Sequence, residues 1–186
     1  MSDYQVAHKT ITDEITQTLA NVNSEDVDRL LEEINKADKV FFVGVGRVLL
    51  SLQSIAKRLA HLGVQTFVVG QITEPAITDK DLLIVGSGSG ETQFPLIIAK
   101  KAKEFNARVA HIGTNPDCSM SQYSDVFIRL PISSNADTPG EVKSNQPMKS
   151  LFEQSLLVFG DTLALMMVTE KNIELQSLWE YHANLE

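Results

Sequence analysis

Hydrophobic and polar positions follow two rhythms along this chain, and the changes from one to the other predict its elements. In SEDVDRLLEEI, Val27, Leu30, Leu31 and Ile34 recur at helical spacing behind Ser24, a residue suited to capping a helix. An opening segment also reads as helical, with a break near residues 21–24, so residues 1–36 are expected to form helices. KVFFVGVG changes the pattern to a short run of consecutive apolar residues that ends in glycines. Runs of this kind return as VQTFVVG, DLLIVGSGSG, ARVAHIGT and DVFIRLP. Between them lie LLSLQSIAKRLAHLG, a helix closed by Gly63, a helical stretch over residues 92–105 and a short helix near 118–123. Residues 132–144 are polar and read as loop. A long apolar helix over residues 148–168 follows, and the chain ends in YHANLE.

Short strands that are apolar on both faces and alternate with helices make a parallel sheet covered on both sides. No repeat, low-complexity tract or linker interrupts the pattern. The expected fold class is α/β: one doubly wound domain over residues 1–186, with a five-stranded parallel sheet flanked by helices. Helices in 1–36 and a helix and tail in 148–186 pack on it. Ligands in such sheets bind beyond the carboxyl ends of the strands. Both glycine-rich turns, GVGR and GSGSGET, fall there.

Composition narrows the function more than the fold. With 186 residues, 43% hydrophobic, the chain is long enough for one substantial core. A net charge of −8 disfavours a nucleic-acid partner, which needs a basic surface, but leaves room for one small phosphorylated ligand. The single cysteine, Cys118, precludes an internal disulfide, and the scattered His8, His61, His111 and His182 have no metal-ligand spacing. The start, MSDYQVAHKTITDE, is polar and unlike a signal peptide. No apolar stretch is expected to reach the roughly 18 residues of a membrane span. These features predict a soluble cytoplasmic protein without a membrane partner.

Candidate chemistry gathers in IVGSGSGET, residues 84–92. A turn needs one or two glycines, whereas three alternate here with serines before a helix. A strand, a glycine-rich turn and a helix N-terminus together aim backbone N–H groups at one point, where an anion is stabilised. Ser87, Ser89 and Thr92 add neutral donors, so a phosphate is the natural guest; the plainer alternative is a tight turn with Ser89 or Thr92 as N-cap. The GxxxxGK[ST] loop is absent, and GxGxxG fails at Glu91, which disfavours a nucleotide cofactor. GVGR ends in Arg47, either a forked phosphate donor or a solvated residue at a helix start.

GxGR after the first strand together with SGSGET after the third resembles the sugar isomerase (SIS) domain. QPMKSLFEQ and the terminal HANLE narrow the likeness to the 6-phospho-3-hexuloisomerase family, over nearly the whole chain. The resemblance implies isomerisation of D-arabino-hex-3-ulose 6-phosphate to D-fructose 6-phosphate through an enediol(ate), a step of ribulose monophosphate formaldehyde fixation. It implies no metal or other cofactor, and a homo-oligomer, typically a tetramer. By position Ser87, Gly88, Ser89, Gly90 and Thr92 take the phosphate, with Arg47 nearby. Glu91, at the end of the motif, is either a first-turn acid or an orienting group. One departure stands out: the family usually has GxGRS, whereas this chain has Val48 in place of the serine, which predicts weaker substrate binding.

The same resemblance puts the proton-transferring base at Glu153. The residues themselves leave another role open, because Ser150-Leu-Phe-Glu153 fits a capping box. His61 either complements the helix dipole in the last turn before Gly63 or assists at the substrate oxygens. His182 either docks at a site, its own chain's or a neighbour's, or lies on the surface. His111, inside a strand, reads as a satisfied core residue, and Asp161 as structural, paired with a distant Lys or Arg. Two other functions compete: an isomerase of arabinose 5-phosphate or sedoheptulose 7-phosphate, and a non-catalytic sugar-phosphate sensor. The 36 residues before the first strand are too short and acidic for the DNA-reading domain of such a sensor.

Overall fold

A computed structural model describes residues 2–133 and 140–185. Part of the expected 132–144 loop and the last residue of HANLE therefore lie outside the described residues. The elements run α1 (Asp3–Ala20), α2 (Ser24–Lys36), β1 (Val40–Val43), α3 (Gly46–His61), β2 (Thr66–Val68), β3 (Leu82–Gly86), α4 (Gln93–Glu104), β4 (Arg108–Gly113), β5 (Val126–Arg129) and α5 (Leu151–Glu170). Short 3-10 turns occupy Ser119–Gln122, Pro147–Lys149 and Leu175–Tyr181.

The five strands pair in parallel in the order β2-β1-β3-β4-β5, so the expected doubly wound α/β fold is what forms. Alternate strand residues serve opposite faces. Val40, Phe42, Leu82, Ile84, Ala110 and Ile112 join α2, α3 and α5 on one side. Phe41, Val43, Leu83, Val85 and Val109 meet α4 on the other. The order reverses at β1 and β3, whose carboxyl ends carry the two glycine-rich turns. That is the switch point at which such sheets bind ligands.

Two local expectations change. The N-cap of α2 is Asn23, not Ser24: its side-chain oxygen accepts from the N–H groups of Glu25 (2.8 Å) and Asp26 (3.4 Å). Also, Pro147–Glu170 is long and apolar enough, on length and composition alone, to cross a membrane. The expectation that no stretch would qualify was too strict, because the few polar residues of α5 are scattered along a strongly apolar helix. The structure uses that apolar surface against the sheet and α3, burying Leu151, Phe152, Leu156, Phe159, Leu163 and Met167.

The α3–α5 contact positions the site. A Cβ on Gly160 would lie 2.2 Å from Ile55 Cγ1, so only glycine lets the helices come this close. They run in the same direction, since Arg47, Ile55 and Arg58 along α3 meet Glu153, Gly160 and Asp161 along α5. The Arg58–Asp161 pair (3.2 Å) fulfils the structural role expected of Asp161.

Candidate active site

Beyond the carboxyl ends of β1, β3 and β4 opens a cavity of about 420 Å³, within the range of small-ligand sites. Its wall includes Val48, Gly88, Ser89, Glu91, Thr114, Asn115, Lys149, Phe152 and Glu153.

The loop after β3 is built from inside itself. Ser87 is buried, and its hydroxyl accepts from Gly90 N–H (3.1 Å) and donates to Thr92 Oγ1 (3.2 Å). Gly90 has φ +69°, and a Cβ there would sit 2.2 Å from Cys118 Sγ, so backbone conformation and space both require glycine. The Gly88 carbonyl accepts from the backbone N–H and the hydroxyl of Thr114, each at 2.9 Å. Of the residues of this motif, Gly88, Ser89 and Glu91 line the cavity, whereas Ser87, Gly90 and Thr92 are not part of its lining. Thr92 does take the N-cap position of α4, yet its side chain makes no capping bond. Glu91 precedes that helix rather than opening it, and accepts the N–H of Ser119 at 2.7 Å. This bond holds its carboxyl below the ordinary glutamate range.

His111 braces the loop from the core. It is fully buried, its Nε2–H donates to the Ser87 carbonyl (2.8 Å), and its ring packs against Phe127 at 5.0 Å. Burial pushes its pKa down, and the Ser87 bond offsets this only in part, so the ring is neutral. The expected core position holds and adds a link to the loop, but the ring is only half satisfied, because its buried Nδ1 has no hydrogen-bond partner among the described residues.

Glu153 does not close a capping box. Ser150 makes no capping bond, and its hydroxyl donates instead to the Pro147 carbonyl at 2.7 Å. The freed carboxyl, largely buried, accepts from Arg47 Nε at 2.6 Å, and Ser51 Oγ donates to the Glu153 main-chain carbonyl at 2.8 Å. Arg47 and Ser51 stand one turn apart on α3, so that helix grips Glu153 at two points. Arg47 lines an adjoining cavity, also bounded by Glu153, rather than the one beside Ser89. Expected as a phosphate donor or as a solvated residue at a helix start, Arg47 stands in the first turn of α3, largely exposed, with its Nε on the carboxyl.

His61 and His182 come together, their rings stacked at 5.2 Å, with Trp179 4.9 Å from His182. They do so at the C-terminal end of α3, roughly 21 Å along the helix axis from Arg47 at ~1.5 Å per residue. Within one chain neither reaches the cavity. Thr114, Asn115, Lys149 and Phe152 were missed in the sequence. The polar pair Thr114-Asn115 directly after a strand was the available signal, since ligands gather at strand carboxyl ends. No group of three or more His, Cys, Asp or Glu side chains fit to hold a metal occurs among the described residues.

Residues 33–159 match the family model of the SIS domain, and the chain belongs to that family. A 3-hexulose-6-phosphate isomerase of Bacillus subtilis (strain 168) is 38% identical over 176 residues, covering 95% of each chain. The 3-hexulose-6-phosphate isomerase of Mycobacterium gastri is likewise 38% identical, over 95% of this chain and 88% of its own. The chain belongs with these 3-hexulose-6-phosphate isomerases. A crystal structure from Methanococcus jannaschii, from which the same molecular function was inferred, superimposes with a TM-score of 0.84. It is 31% identical and covers 97% of this chain and 99% of its own.

Proposed function

We propose that this protein isomerises D-arabino-hex-3-ulose 6-phosphate to D-fructose 6-phosphate, with Glu153 as the base that moves the proton. Moving the carbonyl from carbon 3 to carbon 2 requires taking a proton from carbon 2 and returning one to carbon 3. One carboxylate poised over an enediolate serves both transfers. The observation that carries this reading is the largely buried Glu153 carboxylate at the wall of the cavity that the glycine–serine loop bounds. The phosphoryl group lies against Gly88 and Ser89, beside the N-terminal turns of α3 and α4, whose first N–H groups have no intrahelical acceptor. Ser87, Gly90, Glu91 and Thr92 hold that loop in shape, and Arg47 orients the carboxylate.

His61 and His182 act, in this reading, at the cavity of a neighbouring copy. A homo-oligomer, a tetramer by family resemblance, brings them there. The exposed Leu50, Leu157 and Leu165 on α3 and α5 support a subunit contact on this side. We place the enzyme in the cytoplasm and in formaldehyde fixation by the ribulose monophosphate route.

The test supplies the hexulose 6-phosphate and follows fructose 6-phosphate with a coupled dehydrogenase. The wild type should turn over, and Glu153→Gln should lose activity by about a hundredfold or more while staying folded, the scale of general acid–base catalysis. Near-normal turnover of Glu153→Gln would remove Glu153 from the mechanism. Turnover of arabinose 5-phosphate or sedoheptulose 7-phosphate in place of the hexulose would overturn the substrate.

A further inference from the structure

The described lining of the cavity proposed to receive the phosphoryl group includes two acidic residues, Glu91 and Glu153, and one basic residue, Lys149. Arg47, the expected cation, is drawn to Glu153 and faces the adjoining cavity. The Ser87 hydroxyl donates its proton to Thr92 Oγ1, which leaves the Thr92 O–H as the one free neutral donor of that pair. A phosphate monoester is close to doubly charged, and beside Glu91 and the Arg47-paired Glu153 the neutral donors and the partial charges of the helix N-termini offset that charge only in part.

The backbone at Lys149 points the same way. Met148 (φ 55°) and Lys149 (φ 62°) are consecutive left-handed residues, and neither is glycine. Such residues are unfavourable one at a time and persist only where the surroundings enforce them, most often at ligand sites. Here the enforcement is visible on both flanks. Ser150 bonds the Pro147 carbonyl through its N–H (3.0 Å) and its hydroxyl (2.7 Å). On the other flank, Glu14 of α1 accepts from Ser144, Asn145 and Gln146 across more than 120 residues of sequence.

We propose that Lys149 is the cation of the phosphate subsite, held at the cavity wall by the left-handed Met148-Lys149 turn, and that it sets substrate affinity. The inference rests on the isomerase reading above, and its tests separate the two. Lys149→Gly removes the charge and at the same time relieves the backbone. A lysine that serves no ligand would then yield a more stable enzyme of unchanged KM. The proposal expects a higher Tm together with a KM raised about tenfold to a hundredfold, the worth of one charge-assisted bond, with kcat changed far less. Lys149→Met should raise KM similarly without the gain in Tm, and Lys149→Arg should restore most of the affinity.

Competitive inhibition by inorganic phosphate supplies a second readout: its inhibition constant should rise in parallel with KM in Lys149→Met and lose much of its salt dependence. Wild-type KM and phosphate inhibition in Lys149→Met would overturn the proposal, as would a drop in kcat at unchanged KM. Should the wild type fail to act on the hexulose 6-phosphate, the substrate reading falls by itself. The Tm rise produced by inorganic phosphate then decides the role of Lys149: abolished in Lys149→Met it upholds the proposal, and undiminished it overturns it.

Discussion

Glu14 shows how far from the cavity its geometry is secured. This residue of α1 is 6% exposed and carries a carboxylate with no cationic partner among the described residues. It accepts from Ser144 Oγ (2.8 Å), Asn145 N (2.8 Å), Asn145 Nδ2 (3.2 Å) and Gln146 Nε2 (3.0 Å). Burial raises its pKa and the four bonds, led by the Asn145 N–H, outweigh that, so the carboxyl lies below the ordinary glutamate range. Hydrogen bonds to a charged group are each worth about 1.5–3 kcal/mol net. Asn145 is exposed and Ser144 and Gln146 half-buried, so water takes over part of the loss when the carboxylate goes. We therefore expect Glu14→Ala to lose about 3 kcal/mol, or roughly 6–12 °C in Tm for a domain of this size. Glu14→Gln should lose about half as much, because one acceptor oxygen remains. The folded-state pKa is depressed, so this stabilisation is complete above the ordinary glutamate pKa and is lost as pH falls through the folded value. Thermal unfolding at several pH values between 3 and 7 checks this, and both variants should show a shallower loss of stability on acidification. KM should rise as well, since the strap that enforces the Met148-Lys149 turn is loosened. A Glu14→Ala protein melting within 1 °C of wild type, with an unchanged acid slope, would refute the reasoning.

Three further outcomes follow from the loop and its support. His111 is buried and neutral, with its pKa below the ordinary histidine value, so its contribution to stability is present above about pH 6.5 and fades as pH falls from there. His111→Gln should flatten the dependence of Tm on pH between 5 and 7, and an identical slope would contradict this. Gly90→Ala meets a left-handed φ and the Cys118 sulfur at once and should destabilise by at least about 2 kcal/mol in urea unfolding. Adding Cys118→Ala should recover only part, because the φ penalty remains. Val48 packs against the end of β3, where its Cγ1 would lie 2.8 Å from a Cβ on Gly86, and it lines the cavity with a side chain that has no polar atom. Val48→Ser should lower KM about twofold to tenfold by adding one neutral hydrogen bond, and an unchanged KM would deny this position any part in phosphate binding.

Element types were legible in the sequence because they depend on local rhythm. Fully apolar runs such as LLIVG became strands buried on both faces, and the three-and-four spacing of Val27, Leu30, Leu31 and Ile34 became the buried stripe of α2. The glycine–serine loop between β3 and α4 was equally plain from its composition. The capping-box reading of Ser150 and Glu153 went astray for an instructive reason. It is a local pattern, and it lost to Arg47, a partner 106 positions away that only the α3–α5 contact brings within reach.

Periodicity and composition thus determined the parallel sheet, the end of it that carries the loops, and the acidic, phosphate-compatible character of the chain. Tertiary structure alone decided the partners of the charged groups. It turned Arg47 toward a carboxylate, tied Glu14 to residues 144–146, and put His61 and His182 at the far end of α3 from the cavity. The physical reason is that a face of a helix or strand is encoded within a few residues. Which faces meet, and so which charges are paired, is settled by how the layers pack.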